Sequence, residues 1–362
     1  MQRAVAPPCS LQSGVDMIQQ QSGAFSAVQL PGFPGPYDPG LRSGAGGAHG
    51  KAILLGEHAV VYGAPAVAVP LPALTCTANV TLTGEPIAGE ARRHYTPFSI
   101  PADGAAFPAT GVLPPGLCLL IDTALRQARR LDVPGVDVLV ESNIPFGRGL
   151  GSSAACARAL IHALDHLLQL RLTAAEVFDY VQIAETAAHG RASGIDSLAT
   201  GSTRPVLLSD GCPSTPPVGT QAWIVVADSG SPGDTKQAVG MLRAIFNEHP
   251  RCREEFLARS TSLTNQALRA LEQGQLEMLG RQLTDCHALL AKLQLSTDGV
   301  DDLVDAALAH GALGAKMTGG GLGGCIIALA DTAAAADALA ARLDERDAVR
   351  TWTARIESGR PG

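Results

Sequence analysis

Residues 145–155 read Pro-Phe-Gly-Arg-Gly-Leu-Gly-Ser-Ser-Ala-Ala and lie between a strand pattern and a helix pattern. The strand pattern is Val136-Asp-Val-Leu-Val140, and the residues after Gly151 are good helix formers with apolar side chains at helical spacing. Glycines at such a junction permit positive φ angles and a close approach of the backbone to a ligand. The start of the helix offers unpaired N–H groups and the positive end of its dipole, which suits a phosphate. The stretch therefore predicts a phosphate-binding loop.

The loop differs from the two best-known phosphate loops. It does not end in Gly-Lys-Ser/Thr, as a Walker loop does, and its Gly-x-Gly-x-Gly-Ser-Ser spacing is not the Rossmann fingerprint. The alternative interpretation is a structural turn. Ser152 and Ser153 have two interpretations of their own, because serine hydroxyls can cap the new helix or bind a magnesium ion.

Two other glycine-bearing segments flank this loop at a distance. One is Lys51-Ala-Ile-Leu-Leu-Gly-Glu-His-Ala-Val-Val-Tyr-Gly63, and the other is Lys316-Met-Thr-Gly-Gly-Gly-Leu-Gly-Gly-Cys325. One glycine-rich loop is weak evidence for a ligand site. Three of them, each with its own polar residues, predict a site for a phosphorylated ligand that distant parts of the chain build together.

The length of 362 residues predicts two domains with an ample core, which we place at 44–212 and 213–362. Residues 1–43 are rich in glycine and proline and are expected to form a disordered extension, with ordered structure beginning near Gly50. The net charge of −7 argues against a nucleic-acid partner. No apolar run is long enough for a membrane span. Eight cysteines without a Cys-x-x-Cys pair indicate reduced thiols in a cytoplasmic protein.

Predicted strands and helices alternate without a strict βαβ rhythm, which favours an α+β fold. The predicted strands cover 51–55, 66–82 (as one or two strands), 136–140, 222–227, 312–318, 325–330 and 351–356. The predicted helices cover 117–130, 152–170, 173–188, 235–247, 332–343 and most of 254–310. A capping box at Thr173 and Glu176 opens one helix, and Thr235 is expected to cap another.

Five segments together resemble the GHMP kinases, the superfamily of galactokinase, homoserine kinase, mevalonate kinase and phosphomevalonate kinase. Residues 149–155 are similar to its ATP-binding signature, and residues 50–63 are most similar to the mevalonate kinase branch. Residues 185–196, 228–236 and 316–325 match three further segments. The resemblance covers about 50–345. It implies an N-terminal domain like ribosomal protein S5 domain 2, a ferredoxin-like C-terminal domain and a site in the cleft between them.

The resemblance also implies a role for each site residue. Asp196 would be the catalytic base and Lys51 would stabilise its ionised form, whereas an Asp after glycine would otherwise indicate a turn or a cap. Glu185, otherwise a helix-surface carboxylate, would hold Mg²⁺ with Ser153. The ATP site would comprise Gly147, Gly149, Leu150, Gly151, Ser152, Ser153 and Ala154. The substrate site would comprise Glu57, His58, Thr235, Gly319 and Gly320.

The implied reaction is ATP-dependent phosphorylation of the primary hydroxyl of mevalonate. The alternatives are a phosphomevalonate kinase or another small-molecule kinase of the superfamily, and a non-catalytic nucleotide-binding relative. The expected ligands are ATP, Mg²⁺ and a small molecule. No nucleic-acid or membrane partner is expected, and the sequence leaves undecided whether the protein forms a homodimer. The chain departs from the family pattern at Ala192, where proline is frequent, and after Asp196, where Ser/Thr-aromatic-Gly-Gly is usual.

Overall fold

The computed structural model describes residues 43–83, 94–96, 113–130, 135–190, 192–345 and 348–359. The predicted extension, apart from its last residue, lies outside them. The described strands are β1 Ser43–Leu55, β2 Ala66–Thr83, β3 His94–Thr96, β4 Gly135–Ser142, β5 Val206–Ser209, β6 Cys212–Ser214, β7 Ala222–Asp228, β8 Gly314–Thr318, β9 Cys325–Ala330 and β10 Arg350–Ile356. The described helices are α1 Pro115–Gln127, α2 Ser152–Leu168, α3 Ala174–His189, α4 Ile195–Ala199, α5 Thr235–Glu248, α6 Pro250–Gln273, α7 Leu276–Lys292, α8 Asp298–Ala309 and α9 Ala333–Asp344, with a short 3₁₀ helix at Val60–Tyr62.

The first sheet is built on the long strand β2. This strand pairs antiparallel with β1 along most of its length, with β5 at its start and with β4 at its end. The outer strands β3 and β6 pair with β4 and β5, respectively. Helix α2 packs against β1 and β2, and α1 and α3 pack against α2. The phosphate loop therefore leaves the sheet at the end of β4 and returns as the central helix α2.

The second sheet has the strand order β10-β7-β9-β8, and all of its pairs are antiparallel. Helices lie between β7 and β8 and between β9 and β10, which gives the βαββαβ order of a ferredoxin-like domain. Aliphatic side chains of α7, α8 and α9 pack on β8 and β9 to form its core. The predicted two-domain α+β fold is confirmed. The chain passes from the first sheet to the second between Ser214 and Ala222, a few residues beyond the boundary placed at 212/213.

The start of β1 differs from the prediction, because the strand already includes Ser43, well before Gly50. Gly44 and Gly46 allow this strand to lie against α2. A Cβ atom on Gly44 would lie 2.2 Å from the carbonyl oxygen of Ala163, and one on Gly46 would lie 2.2 Å from that of Ala159. These glycines therefore permit close strand–helix packing.

Helix ends were predicted with mixed success. The capping box at Thr173 and Glu176 is confirmed. The expected cap at Thr235 is wrong, because Thr235 is the first helical residue and the Asp234 carboxylate accepts from the N–H of Gln237 instead. Within the described ranges, no helix combines the length and the apolar character that a membrane span needs.

Candidate active site

A cavity of about 410 Å³ lies between the two sheets, and all three glycine segments contribute to its wall. It is also lined by the end of α3, the start of α4 and the start of α5. The polar side chains of its wall include Lys51, Glu57, His58, Ser152, Ser153, Glu185, Asp196 and Thr235.

The phosphate loop has the backbone conformation that its sequence predicts. Gly147, Gly149 and Gly151 have φ angles of 65°, 78° and 75°, in the left-handed region that favours glycine. Helix α2 begins directly after Gly151, and no side chain caps it. The interpretation of Ser152 and Ser153 as caps is therefore wrong, and the first N–H groups of the helix are left for a ligand.

The phosphate loop packs directly on the third glycine segment. A Cβ atom on Gly149 would lie 2.5 Å from the carbonyl oxygen of Thr318, and one on Gly319 would lie 2.5 Å from the Cα atom of Gly149. A Cβ atom on Gly320 would lie 1.9 Å from Oγ1 of Thr235. Because only glycine leaves room for these contacts, the two loops and the start of α5 come together at one end of the cavity.

Lys51 joins the phosphate loop to Asp196. Its ammonium nitrogen lies 2.9 Å from Oδ1 of Asp196 and donates to the carbonyl oxygen of Gly149 at 3.1 Å. The Lys51 side chain is buried, whereas the Asp196 side chain is 37% exposed and lines the cavity. Gly151 leaves room for the lysine, since a Cβ atom there would lie 2.8 Å from Cγ of Lys51. A buried cation thus holds a carboxylate that is open to the cavity.

Glu185 lies near Asp196 at the end of α3 and is buried. It hydrogen-bonds with the Ser153 side chain, and its Oε2 lies 3.9 Å from Nε2 of His189. Burial and, to a smaller extent, the charge of Asp196 raise the pKa of Glu185. Its Oε1 is buried without a hydrogen-bond partner. Across the described residues, no three His, Cys, Asp or Glu side chains form a metal-binding group.

Glu57, the residue before His58, forms an ion pair with Lys316, and both side chains are buried. The imidazole of His58 hydrogen-bonds with the backbone of Gly320, and its Nε2 is buried without a partner. Burial and the nearby charge of Lys316 lower the pKa of His58 to about 4. His58 is therefore neutral at physiological pH, and it lines the cavity.

Comparison with known proteins identifies the family. Residues 119–202 match the family described as GHMP kinases N terminal domain, and residues 267–348 match GHMP kinases C terminal. The mevalonate kinase of Pyrococcus horikoshii is 36% identical over 296 residues, which cover 78% of this chain and 87% of that protein. The chain belongs to the mevalonate kinase branch of the GHMP kinases.

Solved structures of this branch share the fold. The mevalonate kinase of L. major, solved in complex with R-mevalonate, superposes with a TM-score of 0.70 at 24% identity, covering 90% of this chain and 99% of that one. The mevalonate kinase of methicillin-resistant Staphylococcus aureus MRSA252 superposes with a TM-score of 0.63 at 27% identity, covering 88% of this chain and all of that one. Membership of the GHMP kinases makes the protein an ATP-dependent small-molecule kinase.

Nearly all of the residues that the GHMP resemblance selected line the cavity. The exception is Leu150, whose side chain is buried in the core and whose carbonyl oxygen accepts from the N–H of Lys51. Sequence reasoning missed Gln182 and Phe146, which also line it. Gln182 lies three residues before Glu185 on α3, so helical spacing could have indicated it. Phe146, as an apolar residue in a loop, gave no comparable signal.

Proposed function

We propose that this kinase transfers the γ-phosphoryl group of ATP to the primary hydroxyl of mevalonate, with Asp196 as the base. The observation that carries the proposal is the contact between Lys51 and Asp196 beside the phosphate loop. Phosphoryl transfer to an alcohol needs an acceptor oxygen held in line, neutralised phosphate charge and a group that takes the hydroxyl proton. The cavity wall holds residues suited to each of these tasks.

Asp196 is the group suited to take the proton. Its carboxylate reaches the cavity and lies 2.9 Å from the Lys51 ammonium. The same ammonium would stabilise negative charge on the attacking oxygen. Because Lys51 also bonds to the carbonyl of Gly149, it fixes the distance between the base and the loop that would hold the γ-phosphate.

ATP would bind at the phosphate loop, with its phosphates at the free N–H groups of α2. Residues 147, 149, 151 and 152–154 line this part of the cavity. Glu185 and Ser153 would hold Mg²⁺, because the carboxylate has a buried oxygen without a partner and both donors are the hard oxygens that Mg²⁺ prefers. When bound, the ion would neutralise charge on the phosphates. The free thiols of the described cysteines support the expected cytoplasmic location.

The substrate would lie between His58, Thr235 and the third glycine segment. The unpartnered ring nitrogen of a neutral imidazole can accept a hydrogen bond from a substrate hydroxyl without bringing a counter-charge. Among the described lining residues, Lys51 is the sole Lys or Arg, and Asp196 already pairs with it. A second phosphate on the substrate would call for more cations. The cavity therefore favours mevalonate over phosphomevalonate, which stays the alternative substrate.

The test is an ADP-release assay of the purified protein with mevalonate, phosphomevalonate, homoserine and galactose, each at saturating ATP and Mg²⁺. We expect a clear preference for mevalonate. Turnover of phosphomevalonate alone would keep the reaction class and overturn the substrate. Nucleotide binding without turnover of any alcohol would favour the non-catalytic alternative.

A further inference from the structure

Helix α4, which carries Asp196, is five residues long. A partner can therefore be named for each carbonyl group at its C-terminal end. An α-helix leaves its last four carbonyl groups without intrahelical partners. Three of them accept from backbone N–H groups just downstream: Asp196 from Thr200, Leu198 from Gly201 and Ala199 from Ser202. The remaining carbonyl, that of Ser197, accepts from Nη2 of Arg158. Arg158 therefore completes the C-terminal end of α4.

Arg158 reaches this carbonyl from α2, the helix that begins at the phosphate loop. Arg158 is 3% exposed, and its guanidinium packs against the chain at Gly201. A Cβ atom on Gly201 would lie 2.4 Å from Cζ of Arg158, so only glycine leaves room for the guanidinium there. Gly201 belongs to the segment after Asp196 in which the sequence departs from the family pattern.

The buried guanidinium of Arg158 has no counter-ion among the residues that the structure describes. Within the described residues, no carboxylate forms an ion pair with its guanidinium, and its Nε has no hydrogen-bond partner. Burial lowers the pKa of Arg158 to about 10, so the group keeps its positive charge at neutral pH. A buried cation without a counter-ion is costly. The hydrogen bond with the Ser197 carbonyl offsets part of this cost, because the carbonyl end of a helix carries a partial negative charge.

We propose that Arg158 is a positioning residue that holds α4, and with it the Asp196 carboxylate, in place relative to Lys51 and the phosphate loop. The inference rests on the proposed function of Asp196. Helix α2 runs from the phosphate loop at Gly151 to Arg158. A hydrogen bond then connects Arg158 to α4, the helix that carries Asp196. A misplacement of about 1 Å at a reacting group can lower a rate by about 100-fold, so a single contact of this kind affects turnover.

The test compares Arg158→Met, which removes the charge and the donor, with Arg269→Met on the exposed face of α6 as the control. We expect Arg158→Met to lower kcat for mevalonate by about 10- to 100-fold. The KM values for ATP and mevalonate should change by less than about threefold, because the residues proposed to bind them are intact. Amide hydrogen exchange should quicken in a peptide that covers 195–202. The control should keep the wild-type values.

A double-mutant cycle with Asp196→Asn separates positioning from a general structural effect. If Arg158 acts through Asp196, adding Arg158→Met to Asp196→Asn should cost little further activity. An equal fold-loss in both backgrounds, or wild-type kcat in Arg158→Met, would overturn the positioning role. Wild-type turnover by Asp196→Asn would instead remove the base from the proposed function.

If Arg158→Met does not fold, Arg158→Lys takes its place in the same cycle. Lysine keeps a buried positive charge at this position. It lacks the planar guanidinium with its several N–H donors, and its side chain is shorter. We expect a lowered kcat with unchanged KM values, and the loss should again vanish in the Asp196→Asn background. A folded Arg158→Lys protein with wild-type kcat and wild-type exchange at 195–202 would contradict the proposal.

Discussion

Glu57 and Lys316 form a fully buried ion pair that joins the two domains. Glu57 follows β1 of the first sheet, and Lys316 lies in β8 of the second, where its ammonium also donates to the carbonyl oxygen of Met317. Burial raises the pKa of Glu57, whereas the charge of Lys316 acts to lower it. Each charge therefore depends on the other, and the Lys316 charge also acts on the neighbouring His58.

Removal of one partner should be more harmful than removal of both. Lys316→Met leaves the carboxylate buried without its cation, and loss of one member of a buried pair typically costs about 3–5 kcal/mol. Glu57→Gln/Lys316→Met leaves no buried charge at this position and should recover much of that loss. The free energy of unfolding in urea measures both effects. An exposed pair supplies the control: Arg342→Met should cost about 0–1 kcal/mol, because Arg342 and Glu345 are both mostly exposed.

His58 should make the stability of the protein depend on pH. Its folded-state pKa of about 4 lies below the ordinary value of 6.5, so the unfolded chain binds a proton in this window and the folded chain does not. The contribution of neutral His58 to the free energy of unfolding is therefore fully present above pH 6.5 and is lost as the pH falls towards 4. A difference of this size corresponds to about 3 kcal/mol.

His58→Asn tests this contribution without disturbing the backbone. His58 has a φ angle of 60°, a conformation that asparagine tolerates well, and asparagine does not titrate. Between pH 7 and pH 4.5, the wild-type protein should lose about 2–3 kcal/mol more stability in urea unfolding than His58→Asn does. His310→Asn, at an exposed site, should keep the wild-type slope. Parallel pH profiles for wild type and His58→Asn would contradict a neutral, buried His58.

Asp196→Asn should abolish most turnover and leave nucleotide binding nearly intact. The amide keeps the size of the side chain but cannot accept the hydroxyl proton, and loss of a general base typically lowers kcat by about 100- to 10,000-fold. Steady-state kinetics and equilibrium binding of an ATP analogue measure the two properties separately. Asp179→Asn, on the exposed face of α3, is the matched control. A kcat close to wild type would remove Asp196 from the mechanism.

Glu185→Gln should raise the magnesium concentration needed for half-maximal activity. The proposed site has few protein ligands, so loss of one charged oxygen weakens it markedly. The expected shift is about tenfold or more in a magnesium titration at fixed ATP. Glu272→Gln, on the surface of α6, should leave the titration unchanged. An unaltered titration for Glu185→Gln would show that this carboxylate does not hold the ion.

Local patterns predicted many of the helices and strands and the phosphate loop, whereas the resemblance to the GHMP kinases supplied the domain folds and most residues of the candidate site. The strand-to-helix glycine loop, the capping box at Thr173 and the strands on both sides of the third glycine segment follow from residue spacing alone. The ion pair of Glu57 with Lys316 and the contact of Arg158 with Ser197 do not, because each depends on tertiary packing between segments far apart in the chain. The start of β1 was missed for the same reason, since Gly44 and Gly46 are explained only by the helix beside them.

The start of β1 leads to a prediction about N-terminal truncation. Residues 43–49 pair with residues 75–81 of β2, and the N–H of His49 donates to the carbonyl oxygen of Thr200 near the base-bearing helix. A chain that begins at Ser43 keeps every one of these contacts, and the sequence before it lacks an apolar pattern that would join a core. We expect this chain to keep the melting temperature and kcat of the full-length protein.

A chain that begins at Gly50 removes the first half of β1 and uncovers α2 and β2. Each net hydrogen bond of a strand pair contributes about 0.5–1.5 kcal/mol, so the loss of several should exceed about 3 kcal/mol. The activity should fall as well, because His49 supports the segment that follows Asp196. Beginning at Ala45 removes only the pairs of Ser43 and Gly44 and should give an intermediate stability. Equal melting temperatures for the chains that begin at Ser43 and Gly50 would contradict a structural role for this half-strand, whereas a loss already at Ser43 would show that the preceding residues contribute to the fold.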